Sequence, residues 1–581
     1  MSWRKSVIQV ALGQKSADLV IRRGRLVNVN TREIYPADIA MIDGRIAIIG
    51  DIERAVGADT QVIDAAGAYL VPGLMDSHLH TEDSQVTLTE LSKVLLPRGV
   101  TAVMYAYEIA NVLGVRGTDL IREESKVVPL KVFIQSPTSV PWCQGLETTG
   151  TTLSLRDIEE MLAWEETVSL GESDVFDILN LDDLILSKLD AAHSVGKPVN
   201  GHAAMVTGDR LMAVAAGAFH DDHENYTAEE VLTKVRLGMR VILREFNLPY
   251  VATAITENEI DTRNMLLAID DKPIHWMVKE GGVDQAVRVA IANGIDPMTA
   301  IQMATINPAT YFRLDLNLGS ISPGRIADLF LTETLEDLQA KTVIVDGKVV
   351  ARDGQFLLKL PAYHYPEWAK NTVKLSKPIV PSDFEIKTGS RDEVEVRVIV
   401  LKEAGFVRVL ESRMLPVENG CIELGEDSLW NYIAVVDRHS GDGNIGLGIL
   451  EGFGIRRGAI ATSVGHDCHN LTVVGNNRND MAVCINALAD TGGGYVAVRD
   501  GQVLALVPLE IAGLTTEAPY EQVVDQLNLF ESICREELGF PENIMFLMIT
   551  AFVFEGTPFG IAITDKGLVD GYEQKIIPLF I

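Results

Sequence analysis

Two hydrophobic rhythms divide the chain. From Ala17 to about Leu70, short β-forming runs are separated by turn signals: Leu19-Val-Ile-Arg22, Arg25-Leu-Val-Asn28, Asp38-Ile-Ala-Met41 and Arg45-Ile-Ala-Ile-Ile49, with Asp43-Gly44 as a hairpin turn. The same vocabulary returns at Ala327-Asp-Leu-Phe-Leu331 and Thr342-Val-Ile-Val-Asp-Gly-Lys-Val-Val350, again around an Asp-Gly turn. Two β-rich segments flanking a long middle predict one small composite β-sandwich built from residues 1–70 and 318–365. The middle, 71–317, alternates strand-like apolar runs with helical segments, as successive βα units do. Thr227-Ala-Glu-Glu230 has capping-box spacing ahead of an apolar face at Val231, Leu232 and Val235, and Asp296-Pro297 reads as N-cap plus Pro opening a helix from Met298 to Ala304. The predicted fold class is α/β, with a (β/α)8 TIM-type barrel in this stretch.

Four prolines, Pro361, Pro366, Pro378 and Pro381, among polar residues predict a linker over 366–383. Beyond it, 384–581 mixes strands such as Val394–Leu401, the Gly492-Gly-Gly494 turn and a long helix near Tyr520–Leu538, an additional C-terminal α+β domain. Composition narrows the function classes. With 50 Lys+Arg against 81 Asp+Glu the net charge is −31, in a chain of 581 residues that is 47% hydrophobic. So acidic a surface repels phosphate backbones and anionic lipid, which excludes nucleic-acid and membrane-surface partners and leaves a small-molecule substrate. No apolar run approaches a transmembrane length, the N-terminus lacks a signal-peptide pattern, and five scattered cysteines form no C-x-x-C pair. A reduced, cytoplasmic protein is expected.

The sharpest chemical signal is Val71-Pro-Gly-Leu-Met-Asp-Ser-His-Leu-His80, an apolar strand ending in H-x-H. Residues two apart on a strand share a face, so His78 and His80 reach one centre at the strand's C-terminal end, where barrel active sites lie. His202 and His223 follow at the pace of successive βα units, and Glu172 and Asp270 each end an apolar run. His193, in a polar helical stretch, and His220 rank below them. Four imidazoles and two carboxylates suit Zn, Mn or Fe, and a bridging carboxylate can hold two ions together.

On these motifs the chain resembles the amidohydrolase superfamily and, within it, the bacterial adenine deaminases over essentially its whole length. The matching segments include His78-Leu-His-Thr-Glu-Asp-Ser84, Glu108-Ile-Ala-Asn-Val112, Gly201-His-Ala203, Asp222-His-Glu224, Ser322-Pro-Gly-Arg-Ile-Ala-Asp328, Asp437-Arg-His439, His466-Asp-Cys-His-Asn470 and Thr564-Asp-Lys-Gly-Leu568. The resemblance implies two divalent metal ions per chain, Mn or Fe with Zn as a further candidate, on His78, His80, Glu172, His202, His223 and Asp270, and a homo-oligomer, taken as a dimer. It breaks at Tyr105-Ala-Tyr-Glu108, where the family reads Asp-Pro-His-Glu, and at Ile269-Asp-Asp-Lys-Pro-Ile274 and Gly281-Gly-Val-Asp284. Tyr105, Tyr107 and Glu108 are therefore the expected substrate-binding positions and the source of any altered specificity. His466, His469 and the preceding His439 form a second polar cluster. The i, i+3 spacing would put His466 and His469 on one face of a helical turn, suited to a third metal or to closing a pocket against the barrel.

The implied chemistry is metal-assisted hydrolysis, adenine plus water giving hypoxanthine and ammonia, with Asp270 as general acid–base and Glu82 or Glu108 protonating the adjacent ring nitrogen. Two alternatives stand beside it. One is a hydrolase of another C–N bond, in a cyclic amide, ureide or modified purine, with the pocket altered at Tyr105 and Tyr107. The other is a non-catalytic metal-binding homologue.

Overall fold

The computed structural model describes residues 3–217, 219–258, 260–390, 392–402, 407–425, 428–541 and 560–581. The two β-rich segments do join. Leu329–Thr332 runs antiparallel to Tyr69–Pro72, Leu329 opposite Pro72 and Thr332 opposite Tyr69, which stitches the chain leaving the middle region to the chain entering it. Among the described residues the result is one nine-stranded sheet. Both Asp-Gly turns work as the sequence predicts. Asp43 and Gly44 take φ of 50° and 74°, and Asp346 and Gly347 take 48° and 69°, the left-handed pair that matches the twist of a two-residue hairpin.

The middle region supplies parallel strands alternating with helices. Leu74–His80, Val100–Ala106, Lys131–Ser136, Thr167–Asp174 and Val199–His202 hydrogen-bond in sequence order into one parallel set, and Asp221–Asp222, Arg240–Leu243 and Met265–Leu267 into another. We number these barrel strands one to eight. Two hydrogen bonds link the edges of the sets: Gly201 N donates to Asp221 Oδ1 (3.2 Å), and Asp270 N donates to the His78 carbonyl (3.0 Å). Side chains from strands one, two, four, seven and eight (Met75, Ala102, Met104, Val168, Ile242, Leu266) pack in one cluster, as a sheet curled into a TIM-type barrel requires. The helix signals hold: Thr227 and Glu230 form a capping box on Ala228–Arg236, and Asp296 caps Pro297–Met303. On strand one every residue is buried, including Asp76, Ser77, His78 and His80. Burying that much polarity costs stability unless each group has a partner, which makes this strand end the place to look for chemistry.

The C-terminal region forms a second nine-stranded sheet among the described residues, covered by Arg478–Thr491 and by Tyr520–Glu536, the long helix predicted near 520–538. Residues 366–383, read from sequence as a linker, are tied down instead. Glu367–Lys370 is a one-turn helix, Ala512 N donates to the Ala369 carbonyl (2.7 Å), and Lys374 N donates to the Arg438 carbonyl (2.8 Å). The C-terminal region also docks on the barrel's strand-end loops, where Asp565 accepts from Thr148 N (2.9 Å) and Thr148 Oγ1 (2.7 Å), and Asn470 Nδ2 donates to the Thr148 carbonyl (2.8 Å). No helix among the described residues is long and apolar enough to cross a membrane.

Candidate metal centre

The C-terminal ends of strands one, four and five, with the residues just after strands six and eight, bring together all six side chains named as ligands. His78 and His80, two apart on strand one, turn their Nε2 atoms to within 3.1 Å of each other. Glu172, on strand four, lies between the two halves of the set. Its Oε2 is 3.8 Å from His78 Nε2 and 3.6 Å from His80 Nε2, and its Oε1 is 2.5 Å from His202 Nδ1 and 3.1 Å from His223 Nε2. Asp270 closes the ring, with Oδ1 3.3 Å from His80 Nε2 and 3.8 Å from His78 Nε2, and Oδ2 3.8 Å from His223 Nε2. His223 stacks on His78 with ring centroids 4.3 Å apart.

This donor set fits divalent ions. Nitrogen and carboxylate oxygen converge in a buried space, and one carboxylate offers a separate oxygen to each half. Gln135 on strand three takes a hydrogen bond from His78 Nδ1 (2.8 Å), and its own amide donates to the Ser77 carbonyl (3.3 Å) and to Asn200 Oδ1 (3.1 Å). Those bonds fix the amide's orientation, put the His78 proton on Nδ1 and leave the Nε2 lone pair facing the centre. Burial, with His223 and His80 alongside, drives His78 well below the ordinary imidazole range, so the ring is neutral, the form that ligates a cation. Burial also opposes charge on Glu172, His202 and His223, yet their mutual attraction wins: Glu172 falls well below the carboxylate range, while it draws His202 up to about 9 and His223 up to about 10. A divalent ion here would replace those protons.

Around the centre, two carboxylates and two phenols divide their tasks. Glu108, 1% exposed, contacts three imidazoles: His80 Nδ1 at 2.6 Å, His466 Nδ1 at 3.3 Å and His469 Nε2 at 2.5 Å. Burial alone would raise it, but the imidazoles hold it well below the usual range. Glu82 follows strand one in a short 3-10 turn, and its Oε1 accepts from Tyr105 OH (2.5 Å) and Ile109 N (3.0 Å). Burial pushes Glu82 up to about 7, against those two bonds. Tyr107 OH donates to the Glu172 carbonyl (3.2 Å). Both phenols are buried and spend their hydroxyls on Glu82 and on the backbone of a ligand.

His466 and His469 reach the barrel, though not from a helix. Residues 466–468 form a turn, and His469 takes φ +53°, so a tight loop rather than a helical face presents both rings. His466 Nε2 also lies 2.8 Å from Asp83 Oδ2. His439 does not join them: its Nε2 contacts the Cys468 carbonyl (2.7 Å) inside the C-terminal domain, where burial and the nearby Arg438 keep it well below the imidazole range. Sequence reading missed Gln135, Arg244 and Asp83. Arg244, which follows strand seven, places Nη1 2.5 Å from Asp270 Oδ2 and 3.2 Å from Glu224 Oε1. The signal for Gln135 and Arg244 was present, since each stands at the C-terminal end of a barrel strand; a lone Gln or Arg there carries no motif.

The chain matches two family models and a set of curated relatives. Residues 69–350 match the model described as "Amidohydrolase family", and residues 407–575 that of "Adenine deaminase C-terminal domain". The chain is 41% identical to "Adenine deaminase 3" of Rhizobium meliloti (strain 1021), covering 97% of this chain and 96% of that one. It is 40% identical to "Adenine deaminase" of Moorella thermoacetica, covering 99% and 98%. Among solved structures, a β-aspartyl dipeptidase from Fervidobacterium islandicum AW-1 aligns at 18% identity and TM-score 0.44 over 59% of this chain and 98% of that one.

Proposed function

The chain belongs to the adenine deaminase family of the amidohydrolase superfamily, and from that membership and the site geometry we propose that it hydrolyses adenine to hypoxanthine and ammonia. The observation that carries the reading is the convergence of His78, His80, Glu172, His202, His223 and Asp270, with Glu172 offering one oxygen to each half of the set. We assign two divalent ions to it, Mn or Fe before Zn because carboxylate oxygen sits beside imidazole and cysteine is absent from the set. Bound there, the ions supply hydroxide near neutral pH, lowering the pKa of water from about 15.7 towards about 7.

The remaining work falls to the chain's own side chains. Asp270 accepts the proton of the attacking water and delivers it to the leaving amino nitrogen, as the C–N bond breaks and the new C–O bond remains. Arg244 grips Asp270 Oδ2 and leaves Oδ1 turned towards His80, so the carboxylate is held rather than free to rotate. Of the two glutamates named for protonating the ring nitrogen, Glu82 is the better donor: its pKa of about 7 keeps a proton available, whereas Glu108 is held ionised by three imidazoles. Tyr105 positions Glu82 through its hydroxyl, and Tyr107 steadies the Glu172 backbone. The presence of all six candidate ligands weighs against a non-catalytic metal-binding homologue.

The organisation we assign is a composite β unit over 1–70 and 318–365, a barrel over 71–317 and a C-terminal domain over 384–581, in a cytoplasmic homodimer. The test of the activity is a screen of metal-loaded protein against adenine, adenosine and cyclic amides, reading ammonia release. Adenine is expected to turn over at least tenfold faster than the others; hydrolysis of a cyclic amide with adenine untouched would overturn the assignment.

A further inference from the structure

We propose that His469, a residue of the C-terminal domain, is a positioning residue for the barrel's metal centre, acting through Glu108 on His80. The inference rests on the reading that His80 ligates a divalent ion. A ligating imidazole needs its other ring nitrogen held by an acceptor, which fixes the tautomer and the ring plane. For His78 the barrel supplies that acceptor itself, in Gln135. For His80 the facing carboxylate is Glu108, whose Oε1 stands 2.6 Å from Nδ1 in ion-pair contact.

Glu108 is buried, and a buried carboxylate has to be met by donors or cations. Among the described residues no Lys or Arg comes within ion-pair distance of it; its partners are imidazoles. The barrel's own His80 shares Oε1 with His466, and Oε2 meets His469 Nε2 at 2.5 Å. His469 is itself pinned. Fully buried, it donates its backbone N to the Gly465 carbonyl (2.7 Å), and its carbonyl accepts from Arg438 Nε. The neighbouring Asn470 ties the same loop to Thr148 of the barrel. The left-handed φ of +53° at a histidine is a conformation that L-residues adopt at a cost and that persists where the surroundings impose it. One anchored loop therefore sets the orientation of Glu108, and Glu108 sets that of His80. Replacing His469 leaves Oε2 without its partner and lets the carboxylate turn away from Nδ1.

The test is chelator competition on Mn-loaded protein, reading Mn per chain by mass analysis and the electron paramagnetic resonance of the ion pair. His469→Leu is expected to lose one Mn at a chelator concentration about 10- to 100-fold lower than wild type, with loss of the spin-coupled signal. His469→Gln, whose amide can donate from a similar reach, is expected to recover most of the retention. His439→Gln, in the same domain but turned away from the barrel, is expected to retain Mn as wild type does. Should His469→Leu fail to fold, Glu108→Gln is read in its place and is expected to reproduce the loss of one ion. Wild-type retention in His469→Leu, or in Glu108→Gln where that variant is read, overturns the inference, as does equal loss in all the variants. A wild-type protein that holds its ions but leaves adenine intact removes the deaminase reading, while the chelator comparison still decides this one.

Discussion

At the barrel centre four imidazoles surround two carboxylates, and at the seam with the C-terminal domain two further imidazoles, His466 and His469, face Glu108 and Asp83. The side-chain chemistry is alike, but the geometry differs. In the centre the nitrogens of His78 and His80 point at one another 3.1 Å apart, an arrangement that is repulsive between lone pairs and sensible around a cation. At the seam three imidazole nitrogens, His466 Nε2, His466 Nδ1 and His469 Nε2, lie within ion-pair distance of carboxylate oxygens of Asp83 and Glu108. We assign ions to the first, where His78 and His80 converge on oxygens of Glu172 and Asp270, and a positioning role to the second, where His469 meets Glu108. A motif of His and Asp/Glu does not distinguish the two; in the centre two Nε2 atoms also face each other, which the seam does not show.

The sharpest way to break this contrast is to remove the carboxylate shared by both halves of the centre. Glu172→Ala is expected to abolish binding of at least one ion and to lower kcat/KM for adenine by about 10³-fold or more, checked by metal analysis and steady-state kinetics. Near-normal activity would mean that the two halves do not act as one site. Next in size is Arg244→Met, which leaves Asp270 with an unpaired oxygen. A fall in kcat of about 10²-fold with KM little changed is expected if Asp270 is the proton carrier. A change confined to KM would assign Arg244 to binding instead.

How far these assignments were legible in the sequence differs between the two regions. The centre was readable because strands have period two and barrels put function at strand ends, so His78-x-His80 and the later strand-end residues could be placed before any coordinates. At the seam His466 and His469 were recognisable as a cluster, but the i, i+3 spacing pointed to a helix and the chain instead makes a turn, set by long-range contacts to Thr148 and Arg438. His439 looked equivalent to them and is not, because it faces into its own domain. Likewise Tyr105 and Tyr107 read as pocket walls, whereas their hydroxyls serve Glu82 and the Glu172 backbone; which way a buried phenol points depends on neighbours remote in sequence. A composite β-sandwich was expected from vocabulary shared by two distant segments; the segments join in one nine-stranded sheet among the described residues, through a pairing of Tyr69–Pro72 with Leu329–Thr332 that was not foreseen.

Smaller effects sharpen the picture. Tyr105→Phe removes the hydroxyl donor to Glu82 and is expected to lower kcat about tenfold while destabilising the fold by about 1 kcal/mol, measured by kinetics and denaturant unfolding. An unchanged kcat would detach Glu82 from the chemistry. The smallest effect belongs to His439. Its folded-state pKa is depressed, so the unfolded chain binds the extra proton first. Stability is fully present above the unfolded value near 6.5 and falls as pH drops below it, by at most about 1.4 kcal/mol per pH unit, until the folded-state pKa is reached. His439→Gln should flatten that limb of a stability–pH curve between about pH 5 and 6.5; an identical slope would show that another group controls it.

The most direct test of the central claim is a titration of metal-free protein with Mn, reading bound ions and adenine turnover in the same samples. Turnover is expected to rise with bound metal and to level off at two ions per chain, with hypoxanthine and ammonia formed in equal amounts. Full turnover in metal-free protein, or none with two ions bound, would contradict the account.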